Sequence, residues 1–228
     1  MSKSTAKQNI KTIVSAIKAE EQSLRALYPI LNQQNTIAMA ILLVSLCSLF
    51  GVATLYYLAI IPAWLCIILA AFITSISHEL EHDLIHKQYF SNRPYIHNLM
   101  MLTVWLMRPN TVNPWYRRKI HLHHHKVSGT SQDLEERLVG NGIKSPFLRV
   151  LVITDGLLGL LINTKRFNKE ISGFKFLRVF NAGFPVATAY FATLYGVIAY
   201  YALQFVQPFT LPAWGVELLT GAEFLMVV

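Results

Sequence analysis

Charge is scarce in this chain. Asp, Glu, Lys and Arg make up 14% of its 228 residues, against about 25% in a soluble domain. Apolar residues reach 54% and the mean hydropathy is +0.41, a composition that points to a membrane protein. Cysteine is scarce too. Cys47 and Cys66 both lie in apolar runs and form no C-x-x-C pair, which leaves no basis for a disulfide framework or a thiolate metal site. No internal repeat or low-complexity linker interrupts the chain, and its length suits one domain.

Basic residues are missing from two whole blocks, 26–86 and 179–228. Five of the twenty lie between Lys3 and Arg25, and fifteen between Lys87 and Arg178. The empty blocks are the apolar ones, which is the positive-inside pattern. It predicts that the N-terminus and the region 77–178 face the cytoplasm. The net charge of +8 then reads as a basic surface facing lipid, and no nucleic-acid partner is expected.

Residues 6–28 set Ile10, Ile13, Val14, Ile17, Leu24 and Leu27 at helical spacing, with Lys7, Lys11 and Lys18 between them. This predicts a cytoplasmic amphipathic segment, 1–34, lying on the lipid surface. It is not expected to be a signal peptide, because no short apolar core and small-residue cleavage site follow it. The membrane domain is expected over 35–228. Ile37 to Leu58 is an uncharged run of bilayer-spanning length,. A second run, Pro62 to Ile76, follows so closely that Ala59-Ile60-Ile61-Pro62 must form the tight turn of a hairpin. Its helix starts at Pro62 and continues a turn or more past Ile76. Two weaker patches, Ile96–Met107 and Phe147–Ile162, read as helices at the membrane surface. Phe180 to Val206 is a third span, with Pro185 as a possible kink. Ala213 to Val228 heads back as a fourth, carrying Glu217 and Glu223, which are unfavourable in lipid. The expected fold class is all-α and integral to the membrane: two transmembrane helical hairpins with a cytoplasmic histidine-rich helical region.

Seven of the eight histidines fall in two short runs, HELEHDLIH at 78–86 and HLHHH at 121–125. On a helix His78, His82 and His86 form one stripe. His121, His124 and His125 share a face, while His123 points about 200° away from His121 and reads as a bystander. Two such clusters at the edges of apolar runs predict a metal site, and imidazole selects Fe, Zn, Cu or Ni over Ca or Mg. A catalytic zinc site uses three protein ligands. Five or six aligned imidazoles exceed that and point to most of a two-metal site, for which redox chemistry favours iron. His78 and His82 are preferred over His86, and His124 and His125 over His123. His97 is isolated and reads as a polar surface residue. Glu79, Glu81 and Asp83 flank the first stripe, and Asp133, Glu135 and Glu136 follow the second. They either hold imidazole N–H groups or, each taken singly, form a solvated surface. The turn-rich stretch 128–142, SGTSQDLEERLVGNG, is a cap over the site or an exposed loop.

The H-x-x-x-H at 78–82, the H-x-x-H-H at 121–125 and the flanking hairpins together resemble the membrane fatty acid desaturase and hydroxylase superfamily, over roughly residues 37–228. The resemblance implies a cytoplasmic di-iron centre with His78, His82, His121, His124 and His125 among its ligands, and His86 as a further candidate. It implies O2 as co-substrate, an acyl-lipid substrate, and desaturation or hydroxylation of an unactivated carbon. It implies electrons from a small carrier protein of ferredoxin, rubredoxin or cytochrome b5 type, and a place in the inner membrane of a bacterium. The family carries a third H-x-x-H-H box after its second hairpin, and no histidine follows His125 here. That departure implies a truncated or fragmentary member that, on its own, binds iron poorly and does not turn over. Two rival readings remain open. HELEH also matches H-E-x-x-H, in which His78 and His82 bind zinc, Glu79 is the general base of a protease and Asp155 supplies a third ligand. The other is a non-catalytic membrane protein with a vestigial site.

Overall fold

A computed structural model describes residues 3–228, with the side chains of residues 3, 4 and 6 excepted. Among the described residues there are eleven α-helices, one short 3₁₀ turn and no strand. The chain divides into two compact units, Met1–Ile41 and Leu42–Val228. The first unit holds α1 (Lys3–Leu27), the 3₁₀ turn Pro29–Asn32 and the opening turns of α2 (Gln34–Tyr57). Pro29 ends α1, because its ring cannot donate to the helical ladder. The Arg25 guanidinium then donates to the Leu31 carbonyl and pairs with Glu21 at 2.7 Å, fixing the elbow.

In the second unit, α2 turns through residues 58–62 into α3 (Ala63–Ile85). Ala59 takes a positive φ of 56° there, and the Ala59 and Ile60 amides donate to the Tyr56 and Leu55 carbonyls, both at 2.9 Å. The 23 residues of α3 rise about 35 Å at 1.5 Å each, more than the ~30 Å hydrocarbon layer. Only its last turn, about Asp83–Ile85, therefore reaches past the apolar layer when its first turn sits at the opposite boundary, and His78 and His82 lie on the turns just before that edge,. Among the described residues, α2, α3 and α10 (Val186–Val206) are the three helices long and apolar enough to cross a bilayer. α11 (Ala213–Val227) is 15 residues, about 22 Å, and packs against α10 and α3. Glu223 on α11 accepts a hydrogen bond from the Tyr201 hydroxyl of α10.

Between the apolar helices lie α4 (Pro94–Leu106), α5 (Pro114–Val127), α6 (Leu134–Leu138), α7 (Pro146–Thr154), α8 (Gly156–Glu170) and α9 (Phe176–Asn181). α3 packs on both α4 and α5, and Leu84, Met100, Met101 and Val104 are fully buried between them. A second cluster, Leu160, Phe167, Ile171 and Val179, joins α8 to α9. The sequence predicted one helix over 147–162; the structure breaks it at Asp155. That residue closes α7 and caps α8, its carboxylate accepting from the Leu158 amide at 2.9 Å, a substitute for the hydrogen bond the first turn lacks. α7 and α8 then approach so closely that a Cβ on Gly159 would lie 2.9 Å from the Val152 side chain.

Candidate metal centre

Two helices deliver the imidazoles. On α3, His82 and His86 stand one turn apart with ring centroids at 4.8 Å. On α5, started by Pro114 and by the Asn113 side chain accepting from the Tyr116 amide at 2.8 Å, His121 and His125 face them. His86 sits centrally: its Nε2 is 3.0 Å from His121 Nε2 and 3.3 Å from His125 Nε2. Donor nitrogens of His82, His86 and His121 all fall within 4.8 Å of one another. Two imidazole nitrogens bound at about 2.0–2.1 Å to one ion lie about 3.0 Å apart at a right angle and about 3.4 Å apart at the tetrahedral angle. The two His86 separations are of that size, so His86 with His121 or His125 fits a shared transition-metal ion, and the His82 donor lies close enough to join with a small side-chain shift.

His78 stands outside this ring cluster. Its Nδ1 faces the Arg117 guanidinium, 3.4 Å from Nη1 and 3.5 Å from Nη2. His124 stacks on His121 at 5.7 Å, and His123 is exposed. Burial and the neighbouring His121, His82 and His125 rings hold His86 below the usual imidazole range, which keeps it in the neutral form that a metal requires.

The carboxylates come from the turn-rich stretch. Glu135 accepts from His121 Nδ1 at 2.8 Å, and Asp133 from His124 Nδ1 at 2.6 Å. Each bond fixes the N–H on Nδ1 and leaves Nε2 with its lone pair. For His121 that lone pair points at His86. Asp133 is fully buried and also caps α6 through the Glu136 amide at 3.2 Å. Taken singly, these acids read as solvated surface; that reading fails for both, because the loop folds back over α5. The Asp133 hydrogen bond raises the His124 pKa above its ordinary value. A second candidate donor group, His124, Asp133 and Glu136, draws on this same carboxylate contact.

Beneath the cluster lies a charged network that spacing did not reveal. Glu81, 1% exposed, accepts from Arg108 Nη1 at 2.6 Å and from Arg117 Nη1 at 2.9 Å. Its other oxygen is buried without a hydrogen-bond partner. Asp83 accepts from the Tyr89 hydroxyl at 2.7 Å, and burial together with that bond pushes the phenol up to about 12. Glu79 is exposed.

His97 corrects the sequence reading: it is buried, not a surface residue. Its Nδ1 donates to the Tyr89 carbonyl at 2.9 Å, and its Nε2 accepts from Arg118 Nη2 at 2.6 Å. Arg118 also donates to the Leu84 and Ile85 carbonyls, both at 2.8 Å. It thus ties the end of the α3 histidine stripe to the helix carrying the second cluster.

A cavity of about 950 Å³ adjoins the site, within the roughly 300–1,000 Å³ range of ligand pockets. Ile67, Ala70, Leu160 and Phe191 are among its apolar walls, and His78, Arg117 and Glu135 contribute polar wall. Asp155 is elsewhere engaged, accepting from the Tyr195 hydroxyl at 2.5 Å, and it belongs to neither candidate donor group among the described residues. The zinc-protease reading loses its third ligand.

These features define a helical membrane protein with a histidine-rich candidate metal centre beside an apolar cavity. The chain belongs to the fatty acid desaturase family: the family model, described as fatty acid desaturase, matches residues 58–228. No curated protein and no solved structure matches it. Membership in a membrane desaturase family, together with the three apolar helices, makes the chain an integral membrane protein.

Proposed function

We propose that the chain is a di-iron, O2-dependent acyl-lipid desaturase whose histidine clusters face the cytoplasm, in the inner membrane of a bacterium. The observation that carries this reading is the convergence of His82, His86, His121 and His125 beside an apolar cavity of acyl-binding character. Iron held there would supply O2 activation and the redox chemistry for removing two hydrogens from adjacent saturated carbons.

The chain's own residues have separate tasks in this account. The cavity walls take the alkyl chain out of water and hold one stretch of it against the His78 side. Glu135 and Asp133 hold His121 and His124 as Nδ1–H tautomers, so that Nε2 is available as a donor,. Glu81 balances Arg108 and Arg117 beneath the stripe, keeping two guanidinium charges from repelling a cation at the cluster. Fifteen Lys and Arg between Lys87 and Arg178 give a basic surface suited to steering a small acidic electron carrier.

Lipid profiling of a host lacking its own desaturases, with and without the gene, tests the reading. New monounsaturated acyl chains that disappear with His121→Ala support it. Hydroxylated chains at the same dependence assign the hydroxylase reaction instead, and an unchanged profile with normal protein levels overturns both.

A further inference from the structure

We propose that α1 is an anchor on the anionic lipid surface. Ile10, Ile13, Val14, Ile17, Leu24 and Leu27 are between 44% and 68% exposed. At about 100° per residue they fall within an arc of about 140°. Lys7, Lys11, Lys18 and Arg25 lie on the adjoining flank, within about 40° of one another by the same count. Glu20 and Glu21 interrupt the face, and Glu21 is paired with Arg25, so the face is densest over Ile10–Ile17.

Three observations commit this face to lipid. The first is charge: an apolar stripe with a cationic border complements anionic headgroups over acyl chains. The second is the tether. Seven residues after Leu27 the chain enters α2 at Gln34, a helix apolar enough to cross the bilayer. The surface of the leaflet is then always within reach at high effective concentration. The third is the elbow. Pro29 and the Arg25 bond to the Leu31 carbonyl prevent α1 and α2 from forming one continuous rod. Tyr28 and Ile30 in the elbow are 54% and 63% exposed, a placement that suits the interfacial layer.

The test uses the full chain at one copy per nanodisc, with Cys47→Ser. An environment-sensitive fluorophore is placed on Ile13→Cys or, on the opposite side of the helix, on Ala19→Cys. Spin-labelled lipids should quench the label at 13 and leave that at 19 bright. Quenching at 13 should fall when phosphatidylglycerol is replaced by phosphatidylcholine. It should fall again in the Lys7→Gln/Lys11→Gln/Lys18→Gln chain, each lost cation lowering the bound-to-free ratio roughly fivefold. Equal quenching at both positions, or none at 13, overturns the proposal. So does energy transfer between labels in discs loaded with two copies when lipid quenching is absent, because the face would then be a contact with a second copy. Membrane insertion of α2 and lipid oxidation are read separately and do not move these outcomes.

Discussion

Removing the Glu81 carboxylate should be among the most damaging single changes in the protein. Glu81 is 1% exposed and accepts two short bonds from Arg108 and Arg117. Glu81→Ala leaves two guanidinium groups, each with 18% of its side chain exposed, without their shared counter-charge. Breaking a buried ion pair from one side costs about 3–5 kcal/mol, which for a chain of this size lowers the melting temperature by about 6–20 °C at 2–4 °C per kcal/mol. Cys66 supplies the assay, because it is fully buried. In a Cys47→Ser background, a fluorogenic maleimide reports unfolding as the Cys66 thiol becomes accessible on heating. Glu81→Leu/Arg108→Leu/Arg117→Leu removes all three charges together and should recover most of the loss, since an apolar replacement of a buried ionic group is often neutral or stabilising. A drop below about 2 °C for Glu81→Ala would refute the claim that this network is desolvated.

Three other outcomes are expected. Glu135→Gln should weaken Co(II) binding about 10–100-fold without changing the melting curve by more than a few degrees; unchanged affinity would mean that the Glu135 contact does not tune His121. Arg118→Ala should cost about 3 kcal/mol, taking the two carbonyl bonds at about 1.5 kcal/mol each, and Arg118→Lys should recover less than half, because an ammonium cannot span both carbonyls. The His124 pKa is raised by Asp133 above its ordinary 6.5. Its stabilising contribution is therefore complete below that value and lost as pH rises through the raised one. Imidazole NMR of the metal-free protein should show the high titration, and Asp133→Asn should bring it down; an identical titration in both would contradict the assignment.

The sequence made the helices and the histidine spacing legible because both depend on local period. Uncharged runs marked the long helices, and three- and four-residue spacing put His78, His82 and His86 on one stripe and His121, His124 and His125 on another; the preference for His78 over His86 came out reversed, because His78 faces Arg117 while His86 sits among the other rings. What it could not show depends on chain return. Asp133 and Glu135 reach His124 and His121 only because residues 128–142 fold back over α5, and no spacing rule links a loop to a helix nine to fourteen residues earlier. Glu81, Arg108 and Arg117 meet across three elements, so each looks like an ordinary charge when read alone. His97 is buried by contacts from residues on either side of it in sequence, Tyr89 and Arg118. The break at Asp155 did carry a local signal, since Asp before Gly at the start of an apolar stretch is a helix-capping pattern. Hydropathy concealed it by continuing across the boundary.

The claim on which the functional account rests is that the imidazole cluster holds a transition metal. Fe(II) titration of the purified chain in nanodiscs, beside His86→Ala/His121→Ala, tests it most directly. Against the weak binding that the missing third histidine box implied, the account predicts saturable binding by the unsubstituted chain that falls at least about tenfold, the loss associated with disturbing even the outer partners of a metal site, in a double variant with an unaltered melting curve. Equal binding by the two proteins, or no binding by either, would contradict it.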